Sequence, residues 1–230
     1  MKKINSFLNK LYDRIPGCIF GLLTFIIGFL GDIIALVLSP DYVMWKKSVS
    51  ILGNIEENPG GVFLRMGLII SNILAILFFI YLGRALKDEN INENVRKIAV
   101  VSGIFTSVSA MLTGIFSGIN EFISFLHGLF ALFSWIGGIT VCLLFGILML
   151  KNLKFSKSIA NFSLLIAGIF VFYLIPFFIT NFCNLFPKSS AVFSFGRSIY
   201  QIMPVMEWIM IFSALVWYLI NSIYLLKNRM

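Results

Sequence analysis

Few side chains in this chain are suited to chemistry. His127 is the only histidine among 230 residues, and an imidazole can serve as a general base or as a ligand. Asp32 and Glu207 stand inside apolar runs, where either could orient that imidazole. Arg65 supplies a guanidinium suited to phosphate or carboxylate. Glu56, Glu57 and Asn58 lie shortly before Arg65, and Asn120 and Glu121 shortly before His127. Together they suggest a headgroup-binding or hydrolytic pocket. His127 would be base or ligand, Asp32 or Glu207 its orienter, and Arg65, Glu56, Glu57 and Asn120 the headgroup contacts. The competing reading is structural: Asp32 pairs with Arg65, His127 bonds a backbone carbonyl or a neighbouring helix, and the loop acids are solvated. Isolated titratable groups near helix ends are more often of the second kind, so no catalytic residue is assigned. A metal centre needs roughly three or four ligands, and one histidine with scattered carboxylates does not supply them. No G-x-S-x-G, H-E-x-x-H or P-loop pattern occurs, and nothing calls for a cofactor.

The elements that must position these residues are set by hydropathy. Hydrophobic residues make up 59% of the chain and charged residues only 12%, against about 25% charged in soluble domains. A soluble globule could not hide so much apolar surface, whereas lipid accepts it on the outside of every helix. Six apolar runs are long enough to span a bilayer: about 17–38, 66–86, 98–116, 122–150, 158–182 and 202–226. The expected fold is therefore all-α, a single transmembrane domain built as a bundle of six helices. The basic N-terminal segment followed by an apolar run also fits a signal peptide. However, the run is longer than a typical signal core and no A-x-A site follows, so a retained first helix is expected. Residues 39–65 form the longest polar connection, with Ser-Pro and Asn-Pro-Gly-Gly turn signals around segments apolar enough to lie at the interface. Pro176 falls inside the fifth run and is expected to kink it.

The net charge of +8 reads as topology rather than nucleic-acid binding, because the basic residues sit between apolar runs and not along one face. With the N-terminus inside, the outer segments carry Lys46, Lys47, Arg65, Lys188 and Arg197, and the other 13 of the 18 basic residues lie inside. Both termini are thus expected to be cytoplasmic, in a multi-pass protein of the cell membrane. Cys18, Cys142 and Cys183 are spread over different depths and match no zinc pattern, so neither a disulfide nor a metal cluster is expected. The third helix carries Ser102, Thr106, Ala110, Gly114 and Gly118 four residues apart, a slowly rotating small face expected to be a packing seam. Leucine at Gly114 is expected to destabilise the fold far more than leucine at Ser107, which lies off that face.

The stretch SPDYVMWKKSVSILGNIEENPGGVF, with Ser39-Pro40, Ser50-Ile51-Leu52-Gly53 and Gly61-Val62-Phe63, resembles the first outer loop of a prokaryotic six-helix membrane family catalogued as domain of unknown function number 998. That family is distantly similar to the eukaryotic FRAG/DRAM/SFK membrane proteins. The stretch LTGIFSGINEFISFLHGLFALFSW resembles the family's hairpin between helices three and four, through Gly114-Ile115-Phe116 and His127-Gly128, but it has Ser117 where the family has proline. The resemblance implies a six-helix bundle and no settled activity, and fold alone does not fix function. The leading expectation is a non-catalytic or lipid-interacting membrane protein with a polar pocket in the outer leaflet. Membrane lipids are its expected partners, nucleic acid is not, and self-association is left open. A transporter would need a continuous polar path from Asp32 or His127 to the asparagines of the inner half. A lipid hydrolase or transferase would need Asp32, His127 and Glu207 within hydrogen-bond reach of one another.

Overall fold

A computed structural model describes residues 2–117 and 120–228, with side chains from residue 5 onward. Its helices are α1 (Lys2–Arg14), α2 (Cys18–Val37), α3 (Val49–Leu52), α4 (Gly61–Ala85), α5 (Glu93–Ile115), α6 (Glu121–Lys151), α7 (Lys157–Cys183), α8 (Ala191–Tyr200) and α9 (Met203–Lys227). No strand occurs among the described residues. Six helices, α2, α4, α5, α6, α7 and α9, are long and apolar enough to cross a membrane, so the chain is a multi-pass membrane protein. Isoleucine, leucine and phenylalanine cover the exterior, from Ile26 and Leu30 on α2 to Phe172 and Phe178 on α7. In lipid such a surface carries no desolvation cost.

Each spanning helix packs on its sequence neighbour, and α9 returns to α2, closing a ring. Neighbours run antiparallel. Along α2, Gly17 lies against Tyr81, Gly31 against Gly67, and Gly60 against Ala35. The α2–α4 approach is closest at Gly31 and Gly67: a Cβ on Gly31 would lie 2.9 Å from the Cα of Gly67 and 2.9 Å from the carbonyl oxygen of Phe63. Small residues permit this because association in lipid rests on close packing. The same ends of α2 and α9 that bear the chain termini define what is called here the terminal side; the other end is the far side.

The small face of α5 does not serve one seam. A four-residue step advances a helix by about 400°, so the face turns by about 40° per step. Thr106 is consequently packed against Gly137 of α6, whereas Gly114 meets Ile69, Leu68 and the carbonyl of Arg65 on α4. Ala110, between them, is buried, and Ser102 is half-buried. Gly118 lies outside the described residues. Ser107 is no permissive control for that seam: it is fully buried, so a leucine there is costly as well. Its neighbour Val108 is the lipid-facing position.

Helix ends follow capping chemistry more closely than hydropathy. α5 starts at Glu93 rather than 98, because the Asn92 side chain accepts from the amides of Asn94 and Val95. A side-chain oxygen there satisfies amides that a helix start leaves open. The polar first turn holds Glu93 against Arg96 at 2.6 Å. α4 starts at Gly61 rather than 66, which places Arg65 inside the helix. α7 continues through Pro176 without a break. Two amphipathic helices escaped the sequence reading. α1 is fixed by the Tyr12 hydroxyl, which donates to the carbonyl of Leu77 at 2.8 Å. Burial, partly offset by the Arg84 guanidinium, pushes that phenol up to about 12, so it remains a donor at ordinary pH. α8 is capped by Ser190, whose oxygen accepts from Phe193 N, and its Gly196 rests on Cys183. Cys18, Cys142 and Cys183 are free and buried.

A knot of rings closes the centre toward the terminal side. Phe78 and Phe79 of α4, Phe145 of α6, and Trp217 and Tyr218 of α9 meet at centroid separations of 5.3 to 6.3 Å. Edge-on and offset contacts at such distances are favourable beyond simple burial. The Trp217 indole donates to Ser163 Oγ of α7 at 2.8 Å, tying a fourth helix to the knot.

Candidate functional site

Above this aromatic floor the ring does not fill its own centre. A cavity of about 210 Å³ runs from Phe79, Cys142, Trp217 and Tyr218 toward the far side. Its upper part holds four ionisable side chains: Asp32 from α2, Arg65 from α4, His127 from α6 and Glu207 from α9. At about 1.5 Å per residue, all four lie roughly 6–9 Å in from the far ends of their helices. They therefore share one layer. Most of the remaining wall is apolar, including Leu68, Ala110, Ala131, Phe170 and Ile211.

The connection 38–60 folds back over the mouth of the cavity and makes its lid. α3 supplies the plug: Leu52 is fully buried and Val49 nearly so. Tyr42 anchors the lid from one side, accepting from the Trp208 indole at 3.1 Å and donating to the carbonyl of Lys47 at 2.8 Å. Burial pushes the Tyr42 phenol well above its ordinary value, which keeps that donor protonated. Asn58 braces the far end of the plug through the carbonyl of Ile51 at 2.6 Å.

Three of the four ionisable groups are engaged with this lid. Glu207 Oε2 accepts from the amide of Val49 at 3.0 Å. Arg65 Nε donates to the carbonyl of Gly53 at 2.8 Å, and Ser117 Oγ donates to the same oxygen at 3.2 Å. Ser117 stands where the sequence resemblance has proline, and a proline could not make that bond. His127 bridges two elements, with Nδ1 at 2.9 Å from the carbonyl of Thr113 and Nε2 at 3.0 Å from Ser50 Oγ. A carbonyl only accepts, so Nδ1 carries a proton, and in the neutral ring Nε2 accepts from the serine hydroxyl. Both nitrogens are then used.

Asp32 is the exception. It is 7% exposed and lines the cavity, yet Oδ2 accepts no hydrogen bond. The ion pairs among the described residues are Arg96–Glu93, Lys97–Glu93 and Lys154–Asp88, so the Asp32–Arg65 pair expected from sequence is not made. Nor does His127 reach either acid; its partners are a backbone carbonyl and a lid serine. The structure does not bring Glu56, Glu57 or Asn120 into the cavity. The two glutamates are exposed on the lid, Glu57 accepting from Asn54 at 3.0 Å. Asn120 caps α6. No group of three His, Cys, Asp or Glu among the described residues could hold a metal ion.

Comparison with family models, with curated proteins and with solved structures finds no match. The cavity must therefore be read from its own chemistry. Ser50, Gly53, Thr113 and Ser117 were not singled out by chemical type, and nothing in their spacing marks them. The one signal was the Ser50-Ile51-Leu52-Gly53 segment, noted for its resemblance, which proves to be the plug itself.

Proposed function

We propose that this chain is a non-catalytic, lipid-interacting protein that holds one single-chain amphiphile in the lidded cavity. The observation that carries this reading is the pairing of a buried carboxyl, whose Oδ2 has no partner among the described residues, with apolar walls beneath the lid. Ligand pockets have that composition, an apolar lining with a few converging polar groups. At about 210 Å³ the cavity is smaller than the pockets of roughly 300–1,000 Å³ that take drug-sized ligands, which suits one alkyl chain better than two. Catalysis is disfavoured because His127 has both nitrogens engaged and neither acid touches it. Asn72 and Ser71 of the inner half do line the cavity, but transport is disfavoured because the aromatic floor stands between it and Asn221, which donates to the carbonyl of Trp217 at 2.8 Å. The resemblance to the six-helix family adds no activity.

Filling the cavity tests the reading. Ala131 is buried and lines the cavity, so Ala131→Phe should occupy the space without an outward clash. Mass spectra of the protein released gently from membranes should show one retained single-chain amphiphile for the parent and none for the variant. Equal retention by both would rule the cavity out as the binding place.

We also place the termini in the cytoplasm and the lid outside the cell membrane, on the charge asymmetry alone. Glu57 is exposed on the lid and Glu93 begins α5 on the terminal side. An impermeant maleimide applied to intact cells should label Glu57→Cys fully and Glu93→Cys not at all. The reverse pattern would invert the topology.

A further inference from the structure

Resting on that reading, we infer that the ligand is a monocation, a primary ammonium on a short apolar chain, with Asp32 as its counter-ion. The first support is the state of Asp32 itself. A carboxyl at membrane depth is retained at a cost and faces a partner or a cavity. Here it lines the cavity, and among the described residues no side chain or amide donates to its Oδ2.

The second support is the sum of charges in the layer. Two carboxylates, Asp32 and Glu207, share the cavity lining with one guanidinium, Arg65, while the hydrogen bonds of His127 suit a neutral ring. With both acids ionised the layer carries one net negative charge. One cation makes it neutral, and an anion would meet two carboxylates.

The third support is the division of labour. Glu207 gives one oxygen to the lid at Val49 and Arg65 gives its Nε at Gly53, whereas Asp32 Oδ2 gives nothing to the lid, which makes Asp32 the acid best placed to turn to a ligand. An ionised carboxylate binds best to N–H groups, so a primary ammonium suits it better than a quaternary one. Below Asp32 the walls turn apolar toward Met210 and Leu215, where an alkyl chain would lie.

Hexylammonium, 1-hexanol and hexanoate share one short alkyl chain and differ in charge. Each would be titrated calorimetrically into the full-length protein in phosphatidylcholine nanodiscs. Hexylammonium should bind at least about tenfold more tightly than hexanol, the gain expected of a charge-assisted hydrogen bond, with hexanoate weakest. Asp32→Asn should remove that preference while hexanol binding persists, which also shows that the variant is folded. Should Asp32→Asn fail to fold, hexyltrimethylammonium on the parent protein replaces it and should lose most of the advantage. Binding of all three probes with equal strength, or preference for hexanoate, would overturn the cationic assignment and leave the amphiphile cavity standing. Binding of none would overturn both.

Discussion

Truncation of Trp217 to alanine is expected to destabilise the bundle by about 2–4 kcal/mol. In water-soluble cores a buried Trp→Ala change costs about 3–5 kcal/mol, as lost transfer free energy plus a cavity. The transfer part shrinks here, since helices separated within a bilayer remain in an apolar solvent. The packing part remains in full. Trp217 is 2% exposed, meets Phe78, Phe79, Phe145 and Tyr218, and leaves Ser163 without its indole donor when removed. Trp217→Phe separates the terms: it keeps a ring in the knot and loses the hydrogen bond, so about 1 kcal/mol is expected. Both values are readable from unfolding of the protein in mixed micelles with increasing denaturing detergent. A loss below 1 kcal/mol for Trp217→Ala would show that the floor is not a stabilising core and would reopen the path toward Asn221.

The floor also decides how the ionisable layer should be understood. Above it, polar groups are gathered at one depth under a lid. Below it, contacts are those of a packed bundle: Phe155 stacks on Tyr224 at 5.6 Å, and the Tyr224 hydroxyl donates to the carbonyl of Lys154 at 2.9 Å. Asn152 is buried and donates to Leu86 O at 3.3 Å. Tyr224 and Asn152 on the terminal side thus join turns to helices, while Asp32 Oδ2 on the far side has no such partner.

Much of this could be seen in the sequence, and the reason is the bilayer. Hydrophobic length alone sets the spans, because a backbone in lipid must satisfy its own hydrogen bonds. Antiparallel order then follows from short connections. Asp32, His127 and Glu207 could be placed at one depth by counting residues from helix ends, whereas Arg65 stood just before the expected second span and joins them only because α4 starts at Gly61. What counting could not supply was azimuth. Ser107 was misplaced for that reason: its neighbour Ser109 is also buried while Val108 faces outward, a pattern that depends on two flanking helices at once. The partners of His127 were also hidden. They come from a connection whose path is set by Tyr42, Trp208 and Asn58, and no periodicity describes a loop folded into a plug. The helices α1 and α8 were missed because their apolar faces are short and lie along the surface, below the length that marks a span.

The same chemical change should act with opposite sign at two glycines. At Gly168, on the exposed face of α7, a Cβ meets nothing within 4 Å, so Gly168→Ala should gain up to about 1 kcal/mol of helix propensity. At Gly31, a Cβ would press on the Cα of Gly67 and on Phe63 O at 2.9 Å each. Both are backbone atoms, and neither can turn aside as a side chain would. Relief requires α2 to move off α4, and overpacking of that kind costs about 1–3 kcal/mol, which outweighs the propensity gain. Gly31→Ala should thus be destabilised by about 1–2 kcal/mol, and Gly31→Leu should lose the assembled fold. The displacement would also carry Asp32, the next residue on α2, out of its layer, so Gly31→Ala should weaken hexylammonium binding while Gly168→Ala leaves it unchanged. Thermal unfolding of the two alanine variants in nanodiscs reads the sign directly. If Gly31→Ala is as well tolerated as Gly168→Ala, the helices do not touch at this crossing, and the position inferred for Asp32 falls with it.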